Sequence, residues 1–255
     1  MLVVFAIVGA AGIALYASVP DVLPLAKAPP TTTAFIELRR QEARAAHRPF
    51  NLRYIWRPLG RMSSYVREAV VLSEDARFWE HEGVDWDAME KAAEKDLESG
   101  KLGLGGSTIT QQLAKNLYLS PSKNPIRKLR ELLIAQRLER DLSKERLLEL
   151  YLNVVELGDG VFGVEAGAQR YYGISSGDLD PAQAARLVVA LPNPRKRSPQ
   201  ARSVLLDKRA AHLVRAMWRR GMMSDDVYAQ ALATLHMGDL PPRPPEPAPS
   251  PEERD

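Results

Sequence analysis

Glu74-Asp75-Ala-Arg77-Phe78-Trp-Glu-His81-Glu-Gly83, then Gly105-Gly-Ser107-Thr108-Ile-Thr110-Gln111-Gln112-Leu-Ala-Lys115-Asn116, then Arg127-Lys128-Leu-Arg130-Glu131: these three runs decide how the chain reads. Thr108 and Gln111 have capping-box spacing, so a helix starts there and continues to about Leu119. Asn124 before Pro125 is a cap with proline at the first helical position, and it opens a helix over 126–142. Ser63 or Ser64 caps an earlier helix that turns Val66, Ala69, Val70 and Leu72 to the core, with Gly83 as its stop. Two carboxylates, Glu74 and Glu131, thus bracket a segment rich in glycine, hydroxyls and amides that ends in cations. Such a set suits chemistry in which one carboxylate handles a proton while cations hold a phosphate-bearing leaving group.

Outward from this stretch the chain keeps reading as helix. Asp85 starts a helix that Gly100 ends, and residues 101–106, with three glycines, read as a mobile loop, either a substrate lid or a connector. Ser143 caps a helix over 144–157 whose apolar stripe is Leu147, Leu148, Tyr151, Leu152 and Val155, with Glu149 and Asn153 four apart beside it. A further helix ends at Tyr172 before Gly173, and Asp180-Pro181 opens another that Pro192 stops. Two more cover 201–220 and 225–235. No alternating strand pattern of useful length and no internal repeat occurs, so the fold class is mainly α.

Glu74 falls near the end of a mostly apolar helix, where burial raises a carboxyl pKa toward neutrality, as a general base requires. The alternative is a solvent-facing glutamate. Gln111, Lys115 and Asn116 share a polar helix face that meets either solvent or a cleft. Arg127, Lys128 and Glu131 share another, and a surface ion-pair ladder there is worth only tenths of a kcal/mol.

Composition narrows the chemistry. The 255 residues allow one main core, and the absence of cysteine excludes disulfides, thiol catalysis and Cys-based zinc sites. Four dispersed histidines give no zinc-ligand spacing. The net charge is +3, yet positive residues crowd within 115–146, 195–202 and 208–220. That pattern favours an anionic ligand or membrane surface, or else marks solvated basic faces.

At the N-terminus, residues 2–20 contain no charged side chain, and about 19 residues at 1.5 Å each nearly match a hydrocarbon core about 30 Å thick. They read as a single N-terminal transmembrane helix; the rival is a cleaved signal peptide, against which stands the lack of a basic n-region. The expected organisation is anchor 1–20, stalk 21–55, catalytic domain 56–238 and a disordered Pro-rich tail 239–255.

The motifs Glu74-Asp75-x-x-Phe78-x-x-His81-x-Gly83, Gly105-Gly-Ser-Thr-Ile-Thr-Gln-Gln-Leu-x-Lys115-Asn116, Arg127-Lys128-x-x-Glu131 and Leu148-Glu149-x-Tyr151-Leu152-Asn153 occur in that order. Over residues 56–198 the chain resembles the peptidoglycan glycosyltransferases, glycosyltransferase family 51. Val161-Phe-Gly-Val-Glu165 and Leu191-Pro-Asn-Pro-Arg195 resemble its monofunctional, membrane-anchored branch.

That resemblance implies a lysozyme-like helical lobe joined to a small membrane-apposed lobe, and an enzyme that polymerises lipid II by inverting glycosyl transfer with release of undecaprenyl diphosphate. It implies that Glu74 is the base for the acceptor 4-hydroxyl and that Glu131 assists the leaving group, directly or through a divalent cation (Mg or Mn), with no organic cofactor. Lys115, Lys123, Arg127 and Lys128 would neutralise the diphosphate. Ser107, Thr108, Gln111, Gln112 and Asn116 would contact sugar or phosphate, and Asp75, Phe78 and His81 complete the implied substrate-binding set. Lys123 departs from the arginine that family members often carry, which loses bidentate geometry. Lipid II, the growing strand and the membrane are the implied partners, with cell-division or elongation proteins as candidates and no nucleic acid. The implied location is the inner membrane, catalytic domain in the periplasm.

Three rivals stand beside this. A glycan hydrolase could use two carboxylates, but has little need of so many cations. Ser120-x-x-Lys123 matches a transpeptidase motif without its partner motifs. The third is a noncatalytic membrane scaffold.

Overall fold

The computed structural model describes residues 1, 15, 17–99, 106–121 and 124–237. Most of the expected anchor, the loop at 101–105, Lys123 and the tail lie outside the described residues. Among those described, no helix is long and apolar enough to cross a membrane.

Eleven helices make up most of this part: α1 Pro24–Lys27, α2 Ala34–Ala45, α3 Ser64–Glu74, α4 Trp86–Ser99, α5 Ile109–Tyr118, α6 Pro125–Asp141, α7 Lys144–Val154, α8 Val164–Tyr172, α9 Pro181–Ala190, α10 Val204–Arg219 and α11 Asp225–Thr234. The mainly helical class expected from periodicity is therefore what the chain forms. Several start at the caps read from sequence: Thr108 with Gln111, and Asp180 with Gln183, both form complete capping boxes. Asn124, Ser143 and Ser224 each accept a backbone N–H at their helix starts.

Helix α9 lies at the centre of one half. Its run Pro-Ala-Gln-Ala-Ala-Arg-Leu-Val-Val-Ala is apolar on nearly every face, so it has to be enclosed, and α3, α10 and α11 pack around it. Helix α5 holds the other half, against α2, α6 and α7. Leu113, Ala114, Ile134, Leu138, Leu147 and Leu150 are all fully buried there. The last turn of α3 and the first turn of α5 meet between these halves.

Four expectations change. Helix α3 stops at Glu74 instead of running on toward Gly83, because Asp75 leaves the helix to accept hydrogen bonds from another part of the chain. Helix α7 stops at Val154, and α10 begins at Val204 with Ser203 as its cap. A three-stranded sheet is present: β1 Arg53–Tyr54 runs parallel to β3 Val161–Phe162, which pairs antiparallel with β2 Glu156–Gly158. Strands of two or three residues are too short to show an alternating pattern. The turn around them needs glycine: at Gly160 (φ +71°) and Gly163 (φ +85°) an added Cβ would stand 2.4 Å and 2.5 Å from the carbonyl oxygens of Asn51 and Asn153.

The fourth concerns residues 21–55. Expected as a stalk, they pack onto the body: Val22 and Ile36 are fully buried, α2 lies on α5, and Arg146 donates to the carbonyls of Leu25 (2.7 Å) and Ala28 (3.0 Å). Proline suggested an extended spacer, but the apolar side chains between the prolines found a core to enter.

Candidate active site

Glu74 is the final residue of α3, and its half-buried side chain lines a cavity of about 330 Å³ together with Ser73, Asp75, Arg77, Asp87, Lys91 and Ser107. Burial raises its pKa above the ordinary glutamate value. Against that act a hydrogen bond from Gln112 Nε2 to Oε2 (3.0 Å), one from Ser73 Oγ to Oε1 (3.4 Å) and the charge of Lys115. The net effect is upward, which is the direction a general base working near neutrality requires.

Gln112 is itself held. Its Oε1 accepts from the hydroxyl of Tyr151 at 3.0 Å, and Tyr151 is fully buried on α7. A phenol that donates to the amide oxygen leaves the amide NH₂ to face Glu74, so Tyr151 sets the orientation of the group that touches the carboxylate. Burial lifts the Tyr151 pKa well above its usual value, so it remains a donor.

The turn after α3 is tied to the start of α5. Asp75 accepts the backbone N–H of Ile109 at 2.9 Å and faces His81 Nε2 at 2.9 Å. Gly83 N–H donates to His81 Nδ1 at 3.1 Å, which assigns the ring proton to Nε2. Phe78 is fully buried beneath Lys144, whose Nζ sits 4.6 Å from the ring centre. Thr108 caps α5 and donates to the Gly83 carbonyl at 2.7 Å.

Beyond Gln112, Lys115 and Asn116 line a second cavity of about 250 Å³ with Arg39, Tyr151, Glu156 and Arg195. Lys115 has no carboxylate partner among the described residues. Burial lowers its pKa, Glu131 and Glu74 act to raise it, and Arg127 and Lys128 to lower it. One ammonium therefore feels both carboxylates and both further cations, so these groups do converge.

Glu131 sits on α6, 3% exposed. Its Oε2 accepts from Arg127 Nη1 at 2.6 Å and its Oε1 from Lys128 Nζ. Lys128 also donates to Ser107 Oγ at 3.2 Å, and Ser107 belongs to the wall of the Glu74 cavity. The cationic cluster and the Glu74 cavity thus share a residue.

The sequence-derived set divides accordingly. Glu74, Ser107, Gln112, Lys115 and Asn116 line open space, and Arg127 and Lys128 are gathered by Glu131. Phe78 and Gln111 are fully buried, so neither is placed to meet a substrate: Phe78 fills the core under Lys144, and Gln111 closes the capping box. Asp75, His81 and Thr108 bind backbone and one another across the α3–α5 junction, although Asp75 and Thr108 also form cavity wall. Lys123 lies outside the described residues. The residue missed from the set is Tyr151. A tyrosine inside a stripe of leucines carries a hydroxyl that needs a buried partner, and that signal was available. Asn153 was likewise noted only by its spacing; it accepts Arg57 N–H at 2.7 Å and donates to Arg57 O at 2.9 Å, which fixes the strand-bearing segment against α7.

A half-buried carboxylate beside a cluster of half-buried cations defines a group-transfer enzyme with an anionic leaving group. A family profile described as transglycosylase matches residues 42–218. The chain is 50% identical over 171 residues to the biosynthetic peptidoglycan transglycosylase of Aromatoleum aromaticum, covering 67% of this chain and 74% of that protein. It is 46% identical over 188 residues to the protein of that name from a Janthinobacterium species, covering 74% and 81%. To the Methylobacillus flagellatus protein it is 44% identical over 192 residues, covering 74% and 82%. The chain belongs to the transglycosylase family: it is a glycosyltransferase of peptidoglycan synthesis that polymerises glycan strands.

Proposed function

We propose that the enzyme's substrate is lipid II and that Glu74 is its general base. The acceptor sugar's 4-hydroxyl attacks the anomeric carbon of the lipid-linked donor. The C1–oxygen bond to the diphosphate breaks, the hydroxyl proton passes to Glu74, undecaprenyl diphosphate departs, and the anomeric configuration inverts. A base so placed contributes about 10²- to 10⁴-fold. Lys115, Arg127 and Lys128 offset the charge that develops on the diphosphate. The observation that carries this reading is the shared wall: Ser107 faces Glu74 on one side and binds Lys128 on the other.

Glu131 holds the cations. Both its oxygens already accept charged hydrogen bonds, so a divalent ion there would have to displace Arg127 or Lys128. The donor set does not fit a metal at that position, and no step is assigned to one.

Residues 2–20 form a membrane anchor in this reading, and the helical body is a lysozyme-like lobe with a smaller lobe resting on the bilayer. Arg130 Nη2 donates to the Ser18 carbonyl at 3.4 Å, which sets the end of that segment beside α6. Ile126 and Leu129 on α6 are exposed next to the cations, a combination suited to an anionic lipid surface. The catalytic lobe then lies on the periplasmic side of the inner membrane, where its lipid-linked substrate is presented.

The test is incubation of the full chain with lipid II and, separately, with finished glycan strands. Polymer and free undecaprenyl diphosphate from the first, with no cleavage of the second, is the expected result. Cleavage of finished strands without polymer from lipid II would replace the synthetic reading with a hydrolytic one.

A further inference from the structure

A cavity of about 410 Å³ adjoins the site and has no part in the chemistry above. It is lined by Leu72 and Ser73 of α3, Val189, Pro192, and Lys208, Arg209, His212 and Leu213, the last four from α10. Leu72 and Ser73 also line the Glu74 cavity, so the two spaces meet at the last turn of α3. Their walls differ in kind. Around Glu74 stand Asp75, Asp85 and Asp87 with Arg77 and Lys91, a mixed and largely paired set. Around the α10 cavity the floor is apolar, the rim carries two fixed cations and an imidazole, and no carboxylate lines it.

The rim groups are also without counter-charges. Two arginines near this helix are tied down, Arg186 to Asp207 and Arg220 to Glu68. Lys208, Arg209 and His212 are exposed and make no ion pair or hydrogen bond among the described residues. Lys208 and His212 stand four apart on one helix face with Arg209 beside them, an arrangement that costs stability whenever all are charged. An anion in the groove would relieve that repulsion.

The position says which part of the substrate reaches it. The diphosphate cations lie on the Ser107 side of Glu74, and the α10 groove opens on the Ser73 side. Whatever extends past Ser73 belongs to the acceptor, the partner whose hydroxyl meets Glu74. Sugar hydroxyls do not call for cations, and the polyprenyl chain of a lipid diphosphate stays in the bilayer, which leaves the floor of Leu72, Val189, Pro192 and Leu213 for another apolar group. Lipid II, a disaccharide-pentapeptide on undecaprenyl diphosphate, also carries a short stem peptide, whose apolar side chains and carboxylates offer both.

We propose that the Lys208–Arg209–His212 groove is an acceptor-side subsite for the carboxylates of the stem peptide carried by the incoming sugar. The inference rests on the lipid II reading above and deepens it, by assigning to α10 a discrimination that the catalytic residues do not make.

The test uses the full chain as wild type and as the Lys208→Gln/Arg209→Gln double variant. Each polymerises lipid II and a lipid II analogue with amidated stem carboxylates, in the same bilayer. Both positions are exposed and the change removes like charges, so the variant should melt no lower than wild type. With lipid II the variant's KM should rise about tenfold at unchanged kcat, the expected loss for two partly solvated charged hydrogen bonds. With the amidated analogue the two proteins should have equal KM. An unchanged KM for lipid II would overturn the proposal. So would an equal rise with both substrates, which would transfer the cations to the diphosphate or to the lipid surface. Because the amidated analogue still reports the glycosyl transfer itself, failure of the subsite is separable from failure of the chemistry.

Discussion

Glu74 and Glu131 are both glutamates in helices, both withdrawn from water and both close to Lys115, yet their surroundings give them different roles. Glu74 has neutral donors, Gln112 and Ser73, and no direct cation, so desolvation dominates and its proton affinity rises. Glu131 has a cation on each oxygen. The first is a carboxylate able to take a proton. The second is a carboxylate spent on holding two positive side chains in place. Residue type does not separate them; the hydrogen-bond partners do, neutral donors on Glu74 and a cation on each oxygen of Glu131.

The widest separation comes from removing each in turn. Glu74→Gln should lower kcat by about 10²- to 10⁴-fold with the fold intact, measured by lipid II polymerisation and circular dichroism. Glu131→Gln should act on structure and binding: with one partner of a buried charged cluster removed, the thermal midpoint falls by several degrees and KM for lipid II rises, while kcat declines far less.

A smaller and subtler effect tests the environment of Glu74. The folded pKa lies above the unfolded one, so folding favours the protonated form: the ionised carboxyl costs stability at neutral pH, and the cost disappears as pH falls below the unfolded value. Glu74→Gln should therefore melt higher than wild type at neutral pH, and the difference should shrink in acid. A lower melting temperature at neutral pH would contradict the burial argument.

The smallest predicted effect belongs to Tyr151→Phe. Without the phenol donor the Gln112 amide is no longer oriented, and the bond that favours ionised Glu74 weakens. The acid limb of the pH profile of kcat/KM should move to higher pH, with KM little changed. A packing role alone would leave that limb where it is.

The helices were legible because their caps are local: Thr108 with Gln111, Asp180 with Gln183, and Asn124 before Pro125 all specify starts within four residues of chain. What was not legible depends on distant partners. Asp75 ends α3 because Ile109, 34 positions later, offers it a backbone N–H. The sheet strands are held by a crossing between residues 53–54 and 161–162. Within the site the chemistry of the motif could be read, but not which of its members face the cleft. Phe78, Gln111 and Gln112 look alike as members of a polar and aromatic motif, and only packing buries the first two while turning the third to Glu74.

The most direct test is single-turnover glycosyl transfer at saturating lipid II, with Glu74→Gln and Glu131→Gln compared in one experiment. The account predicts a rate collapse for Glu74→Gln and a rate within about tenfold of wild type for Glu131→Gln once substrate is saturating. A Glu74→Gln enzyme that turns over like wild type, or a Glu131→Gln enzyme that falls as far as Glu74→Gln, would contradict it.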